Sequence, residues 1–213
     1  MTSKPTRARG RPSDPAKHEA ILSAARALFF RGGPDSVNME AVAREAGVSK
    51  VTVYAHFAHR EALISAVIIA QQEQLVASLH EPVNDVEGLR RSLTSFGMDL
   101  LNFFCSDDFL LIERMLAAHA HANPELGRFI YENGPLAVVL QLAGLLERLQ
   151  ARGLIRVGDS RVAAEQLIGM WVGILRERLL MTDSERPKAA ELQQRVKNGV
   201  DTFTRAFGVT SSR

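Results

Sequence analysis

The sequence has 213 residues, a single cysteine, only 6% aromatic residues and no long uninterrupted apolar run. Cys105 cannot form a disulfide within the chain, so we expect a small buried side chain rather than a reactive thiol. No apolar stretch approaches the roughly 20 residues that span a bilayer, and the N-terminus lacks the apolar core of a secretory signal. With 46% hydrophobic and 23% charged residues the composition is that of a globular protein. Together these features predict a cytoplasmic protein.

The charge is unevenly distributed along the chain. Residues 1–61 contain ten Lys or Arg and six acidic residues, whereas the remainder contains 16 and 18. This asymmetry fits an N-terminal module that faces nucleic acid, followed by a body with another task. A solvated charged face remains the alternative.

The apolar residues recur with helical periodicity over most of the chain, which predicts an all-α fold. Asp14 and Pro15 form a helix-start signal, and Gly32-Gly33 ends that first helix. Further helices are expected near residues 86–105, 107–121, 124–151, 159–182 and 187–207. The only segment with mild strand character, GLIRV at 153–157, is expected to connect two helices.

Residues 38–63, NMEAVAREAGVSKVTVYAHFAHREAL, contain two short helices separated by a tight turn. Asn38 can cap the first of them, Gly47 can end it in a left-handed conformation, and Ser49 can cap the next. This pattern predicts a helix-turn-helix. The apolar residues expected to anchor its second helix are Val48, Val53 and Phe57.

The stretch AVAREAGVSKVTVYAHF resembles the TetR family of transcriptional regulators, whose hallmark is an Ala-Gly-Val-Ser turn followed by Thr, Tyr and His-Phe at fixed intervals. The close resemblance covers residues 14–65. It implies a three-helix helix-turn-helix domain at 14–60 and a helical bundle at 61–210. That bundle would bind an effector and form a dimer. The basic residues that precede the first helix predict a flexible arm at 1–13.

The N-terminal part of the second helix of a helix-turn-helix meets base edges. Lys50 can donate to guanine O6 or N7, and the small or apolar side chains beside it can contact a thymine methyl. The resemblance assigns Tyr54 and His56 to phosphate oxygens, which set register. Taken singly, each of these residues also fits a core or surface role. The predicted DNA-binding residues are Arg9, Arg11, Asn38, Lys50, Val51, Thr52, Tyr54, Ala55, His56 and Arg60.

The segment RGRP, which contains Arg9 and Arg11, resembles the minor-groove segment of AT-hook peptides. Arginine favours the narrow, electronegative minor groove of A·T-rich DNA. We therefore expect an arm that becomes ordered on DNA. A disordered solubilising tail is the alternative.

Similarity to the family implies that the last two long helices pair with those of a second chain. Apolar stripes on these helices are wide enough for this, although packing within one chain would give the same pattern. A two-fold dimer would bind a palindromic operator. The predicted interface residues are Leu167, Trp171, Leu175, Val196, Val200, Phe203 and Phe207.

Aromatic and methionine residues of the body could line an apolar pocket for an apolar or aromatic effector. The same residues also fit an ordinary core. The segment ANPELGRFIYENGP, followed by a long helix, further resembles the C-terminal domains of AefR-type members. The candidate pocket residues are Phe96, Phe103, Phe104, Met115, His119, Phe129, Tyr131 and Met170.

Other functional classes find little support. No Ser-His-Asp arrangement, metal quartet or phosphate-binding glycine loop is apparent, so we expect neither an enzyme nor a cofactor or metal site. A DNA-binding protein that acts without an effector, or as an activator, stays open. The favoured hypothesis is a dimeric repressor that an effector releases from its operator by shifting residues 59–80.

Overall fold

The computed structural model describes residues 14–111, 113–114, 123–182 and 185–208. Within these residues it confirms the all-α prediction, because there is no strand and only an isolated bridge joins Ile155 to Gly208. Residues 107–111 and 113–114 are also helical. The ten longer helices are α1 (Pro15–Gly32), α2 (Met39–Glu45), α3 (Lys50–His56), α4 (Arg60–Val76), α5 (Val86–Phe104), α6 (Pro124–Asn133), α7 (Pro135–Ala151), α8 (Ser160–Val172), α9 (Leu175–Met181) and α10 (Ala189–Phe207).

The chain divides into two compact units between Val67 and Ile68, inside α4. The first unit contains α1, α2 and α3, with α1 packed on α2 and α2 on α3. The helix-start signal at residue 14 is confirmed, since the backbone N–H of Ala16 donates to the Asp14 carboxylate at 3.1 Å. The predicted stop is confirmed too, because Gly33 has φ +72°.

The second unit has a core built from α5, α7, α8 and α10, with the last turns of α4. Trp171 of α8 is fully buried at its centre and donates from Nε1 to the backbone oxygen of Val196 at 3.2 Å. The indole fits because glycines face it from both neighbouring helices, Gly97 on α5 and Gly199 on α10. At these positions a β-carbon would press against the ring.

Two of the predicted helices are broken in the structure, which corrects the sequence prediction. The segment 124–151 divides at Gly134 into α6 and α7, because Pro135 has no N–H to continue the ladder and disfavours helical geometry in the residue before it. The segment 159–182 divides at Gly173, whose φ of +45° leaves the helical region. The segment 153–157 connects two helices as expected.

The predicted dimer stripes are wrong for six of their seven residues. These side chains are no more than 5% exposed within the single chain, so they have almost no surface left to bury against a partner. They form the core of their own unit, which is the intrachain alternative that the periodicity left open. Only Phe207 remains half-buried. The six residues are Leu167, Trp171, Leu175, Val196, Val200 and Phe203.

Two helical stretches, Arg60–His80 and Pro124–Ala151, are long and apolar enough to cross a membrane by length and composition. Of their most apolar windows, 44% and 28% are buried within the protein. Core helices such as α7, which buries Leu142 and Leu146, meet the same criterion. The two stretches are therefore weak evidence for a membrane protein.

We expect Gly199→Ala to lower the free energy of unfolding by about 1–3 kcal/mol, because the new methyl group would lie 2.5 Å from Trp171 Cδ1 in a packed core. Chemical denaturation at fixed protein concentration measures this change. Gly144→Ala on α7 is the matched control, since its β-carbon would meet only the end of the Arg148 side chain, at 3.5 Å. The control should be neutral or stabilising by up to about 1 kcal/mol. Equal effects of both changes would contradict this packing.

Candidate nucleic-acid interface

The α2–turn–α3 segment is fixed by capping at both helix starts. The Asn38 side chain accepts from the backbone N–H of Ala41 at 2.8 Å, and the Ser49 hydroxyl accepts from that of Thr52 at 3.1 Å. Between them Gly47 has φ +66°, as predicted, and the N–H of Val48 bonds to the oxygen of Ala43. Among the described residues, no hydrogen bond involves the side-chain nitrogen of Asn38. The backbone therefore has the geometry of a helix-turn-helix.

The α3 helix has one buried side and one exposed side. Val53 is fully buried and Phe57, at the helix end, is 7% exposed. Val51 is 79% exposed and Tyr54 is 48% exposed, while Ala55 is exposed as well. Apolar side chains on a solvent-facing surface fit contact with another molecule. The exposed side thus carries Val51, Tyr54 and Ala55 from the predicted set.

Thr52 lies between these two sides. It is half-buried, and its hydroxyl lies 2.8 Å from that of Ser49. Since one hydroxyl donates to the other, Thr52 helps to complete the cap of α3. Its methyl group remains the part suited to a thymine contact.

Lys50 forms an ion pair that sequence reasoning missed. Its ammonium donates to the carboxylate of Glu40, on the first turn of α2. This hydrogen bond and the charge attraction raise the pKa of Lys50 and lower the pKa of Glu40. The two residues are ten positions apart, so neither helical periodicity nor local spacing could reveal the pair.

His56 lies among rings rather than on an open surface. Its ring centroid is 5.6 Å from that of His18 on α1, and the His18 ring stacks on Phe57 at 5.0 Å. The His56 Nδ1 atom is buried and has no hydrogen-bond partner in the described part of the chain. A phosphate contact from His56 would therefore use Nε2, and His18 is a neighbour that the sequence did not indicate.

Arg60 binds the protein's own backbone. Its guanidinium donates to the oxygens of Val37 at 2.9 Å and Pro34 at 2.6 Å, and to the Asp35 carboxylate at 3.1 Å. These bonds attach the start of α4 to the segment that precedes α2. The sequence predicted a phosphate contact here, and the structure gives the side chain a structural role in the same place.

The candidate pocket residues that the structure describes lie in different surroundings. Phe96 is fully buried against Trp171, at a centroid distance of 5.8 Å. Phe103 and Phe104 form a partly buried cluster with Phe109, at 4.7 and 4.9 Å. Phe129 is half-buried and Tyr131 is 53% exposed, both on α6. Met115 and His119 lie outside the described residues, as do Arg9 and Arg11 of the arm.

Met170 lines an open groove of about 890 Å³ between α8, α9 and α10. The groove is bordered by Ile174, which is 78% exposed, and by polar side chains of α10 that include Asn198 and Thr202. Arg195 of the same wall donates to the backbone oxygen of Trp171 at 2.9 Å. This groove is thus on the outer face of the helices whose inner faces form the core.

A capped helix-turn-helix with an exposed second helix, joined to a larger helical unit, is the architecture of a DNA-binding transcriptional regulator. Residues 21–67 match the family model for bacterial regulatory proteins of the tetR family, and residues 91–209 match that of the AefR-like transcriptional repressor C-terminal domain. The second match alone covers more than half of the chain. The chain belongs to the TetR family, and the resemblance to its AefR-like members is confirmed.

The solved structures and curated proteins that resemble this chain are also transcriptional regulators. A TetR-family regulator from Mesorhizobium loti is 31% identical, with 94% of this chain and 100% of that chain covered and a TM-score of 0.72. The flavonoid-responsive regulator FrrA is 30% identical over 93% and 100%, with a TM-score of 0.68. The transcriptional regulator UidR of Escherichia coli is 27% identical over 156 residues, or 73% of this chain and 78% of UidR.

We expect Arg60→Ala to lower the free energy of unfolding by about 1–3 kcal/mol, because two carbonyl oxygens lose charged donors. Arg31→Ala is the control, since loss of the exposed ion pair between Arg31 and Glu45 should cost less than about 1 kcal/mol. Denaturant titration of both variants gives the comparison. A variant Arg60→Ala that is as stable as the unchanged protein would refute the structural role.

Proposed function

We propose that this protein is a dimeric repressor that binds a palindromic DNA operator and is released by a small apolar or aromatic molecule. The main support is the exposed side of α3, where Val51 and Tyr54 face solvent on a helix whose opposite side is buried. Two such helices related by a two-fold axis would enter successive major grooves about 34 Å apart. Such a repressor would act in the cytoplasm, where the DNA is.

Base readout in this proposal belongs to Lys50, Val51 and Ala55, with the Thr52 methyl beside them. Phosphate contacts belong to Tyr54, the side-chain nitrogen of Asn38 and the free side of His56. Arg60 would contribute mainly by holding α4 in place, since its Nε and Nη2 groups bond to residues 34–37 and its Nη1 group lies 3.9 Å from the Glu61 carboxylate.

The N-terminal arm would supply the net positive charge. Of the ten basic residues in 1–61, four precede residue 14, so residues 14–61 contain six basic and six acidic side chains. A neutral helix-turn-helix gains little from non-specific attraction to phosphates. Arg9 and Arg11 would therefore add much of the electrostatic affinity, in the minor groove next to the site read by α3. The basic residues of the arm are Lys4, Arg7, Arg9 and Arg11.

The dimer would use the outer faces of α8 and α10, in place of the inner faces that the sequence suggested. TetR-family regulators are typically dimeric. Met170 and Ile174 are exposed apolar residues that line the open groove, and Val162 is a further exposed apolar residue of α8. Exposed apolar side chains that line a groove are typical of a surface that is covered in an assembly. Phe207, at the end of α10, would lie at the edge of this surface.

The effector class rests on two observations. The relative FrrA, at 30% identity over nearly the whole chain, is flavonoid-responsive by its name. In this chain Phe103, Phe104 and Phe109 form an aromatic cluster that is only partly buried. A planar apolar molecule could extend that cluster. Because α4 belongs to both units, it is the element through which such binding would alter the DNA-binding unit.

A DNA-binding protein without an effector is the second candidate. It is favoured by the scattering of the predicted pocket residues, since Phe96 is sealed in the core while Met170 lies in the open groove. Such a protein would bind its operator equally well with and without aromatic ligands. Titration of the operator complex with a flavonoid panel separates the two candidates.

We expect Lys50→Ala to weaken binding to the operator about 5- to 150-fold and to relax preference at one base pair of each half-site. Tyr54→Phe should weaken binding to all duplexes alike, because a phosphate contact is lost. The operator is first obtained by selection from random duplexes, and affinity is then measured against salt. Arg91→Ala, an exposed charge on α5, is the control. Binding that ignores salt, or that survives both changes, would refute the proposal.

We expect Ile174→Asp to shift the protein from dimer to monomer, because a charge would enter the apolar surface between the chains. Sedimentation velocity over a range of concentrations measures the change. Leu140→Asp, at a 51% exposed position of α7, is the matched control and should leave the dimer intact. An unchanged dimer in Ile174→Asp would locate the interface elsewhere.

A further inference from the structure

The Glu40–Lys50 pair joins the first turns of the two helices of the helix-turn-helix. Lys50 is the first residue of α3, and Glu40 is the second residue of α2. Both side chains are open to solvent, at 73% for Glu40 and 49% for Lys50. The neighbour of Lys50 on the exposed side of α3 is Val51. The carboxylate therefore lies on the surface that carries the base-reading residues.

Stability does not account for this pair. Exposed ion pairs contribute little to folding, because water and salt screen them and two long side chains lose rotamer freedom. The helix-turn-helix already has its caps at Asn38 and Ser49 and its buried anchor Val53. A carboxylate on a surface that approaches phosphates is also unfavourable for binding DNA in general. We therefore expect the Glu40 carboxylate to form a favourable contact in the complex with the specific operator sequence.

The chemistry of the pair supplies such a gain. The Lys50 ammonium has three donors and uses one of them for Glu40, so two remain for guanine O6 and N7. The Glu40 carboxylate only accepts, and its second oxygen is free of the Lys50 bond. In the major groove the base group that an acidic side chain recognises is the N4 amino group of cytosine. The pair thus presents donors and an acceptor side by side.

We infer that Glu40 is a specificity-determining residue of the DNA site, which accepts from cytosine N4 at the base pair adjacent to the guanine that Lys50 contacts. This inference rests on the proposed function. At other sequences the carboxylate faces acceptor groups or phosphates and disfavours the complex. Residues 14–61 have equal numbers of basic and acidic side chains. A single negative charge on the DNA-binding surface therefore has a large effect on the difference in affinity between specific and non-specific DNA.

The test is selection from a random duplex library with the full-length chain and three variants. The unchanged protein should enrich a half-site that contains guanine next to cytosine. Glu40→Gln should keep the guanine and exchange the cytosine preference for adenine, because a glutamine amide pairs with adenine N6 and N7. Its affinity for random-sequence duplex should rise about 3- to 10-fold as a repulsive charge is removed. Lys50→Met should lose the guanine preference. Glu45→Gln, at the other end of α2 and paired with Arg31, is the control and should change neither.

The outcomes separate this inference from the proposed function. If the unchanged protein enriches no sequence, the proposed function fails. If it enriches a palindrome and Glu40→Gln selects the same bases with unchanged affinity for random duplex, Glu40 has no role in specificity. Loss of both bases in Glu40→Gln, or an equal effect of Glu45→Gln, would likewise overturn the assignment, since each indicates a general change in the fold or the charge.

Discussion

The structure of the DNA-binding unit depends on the capped junction between α2 and α3. Each of these helices has only seven residues, which is too short for a stable helix in isolation. The caps at Asn38 and Ser49, the left-handed Gly47 and the burial of Val53 hold them together. With the junction fixed, the opposite side of α3 needs no packing partner within the first unit. The exposed side of α3 can therefore carry residues that contact another molecule.

Arginine side chains in both units link separate segments of the chain through hydrogen bonds to backbone oxygens. Arg60 binds oxygens of residues 34–37, Arg152 binds the oxygen of Val83, and Arg195 binds that of Trp171. The guanidinium suits this role because its fixed fork of donors can satisfy several loop or helix-end carbonyls together. An arginine that donates to backbone oxygens in this way has fewer donors available for DNA. The charge count of the sequence consequently overstates the positive surface of the folded helix-turn-helix.

The α4 helix gives the two units a shared element. Its first half buries Leu63 and Ile64, and its last turns place Leu75 and Val76 in the core of the second unit. Arg60 ties its start to the segment before α2, so the helix is attached at one end to the DNA-binding unit. A helix that is packed at both ends can transmit a displacement only if both packings have alternative arrangements. The proposed release mechanism requires this property of α4.

The sequence by itself determined the starts of α1, α2 and α3, the turn at Gly47, the family and the existence of a second helical unit, because caps, glycine conformations and short motifs act within a few residues. Only the tertiary structure decided which apolar stripes are internal. A stripe such as that of Val196 and Phe203 has the same period whether it packs on its own chain or on a partner. The tertiary structure also set the partners of Lys50 and Arg60, since these contacts join residues that only the packing of separate helices brings together.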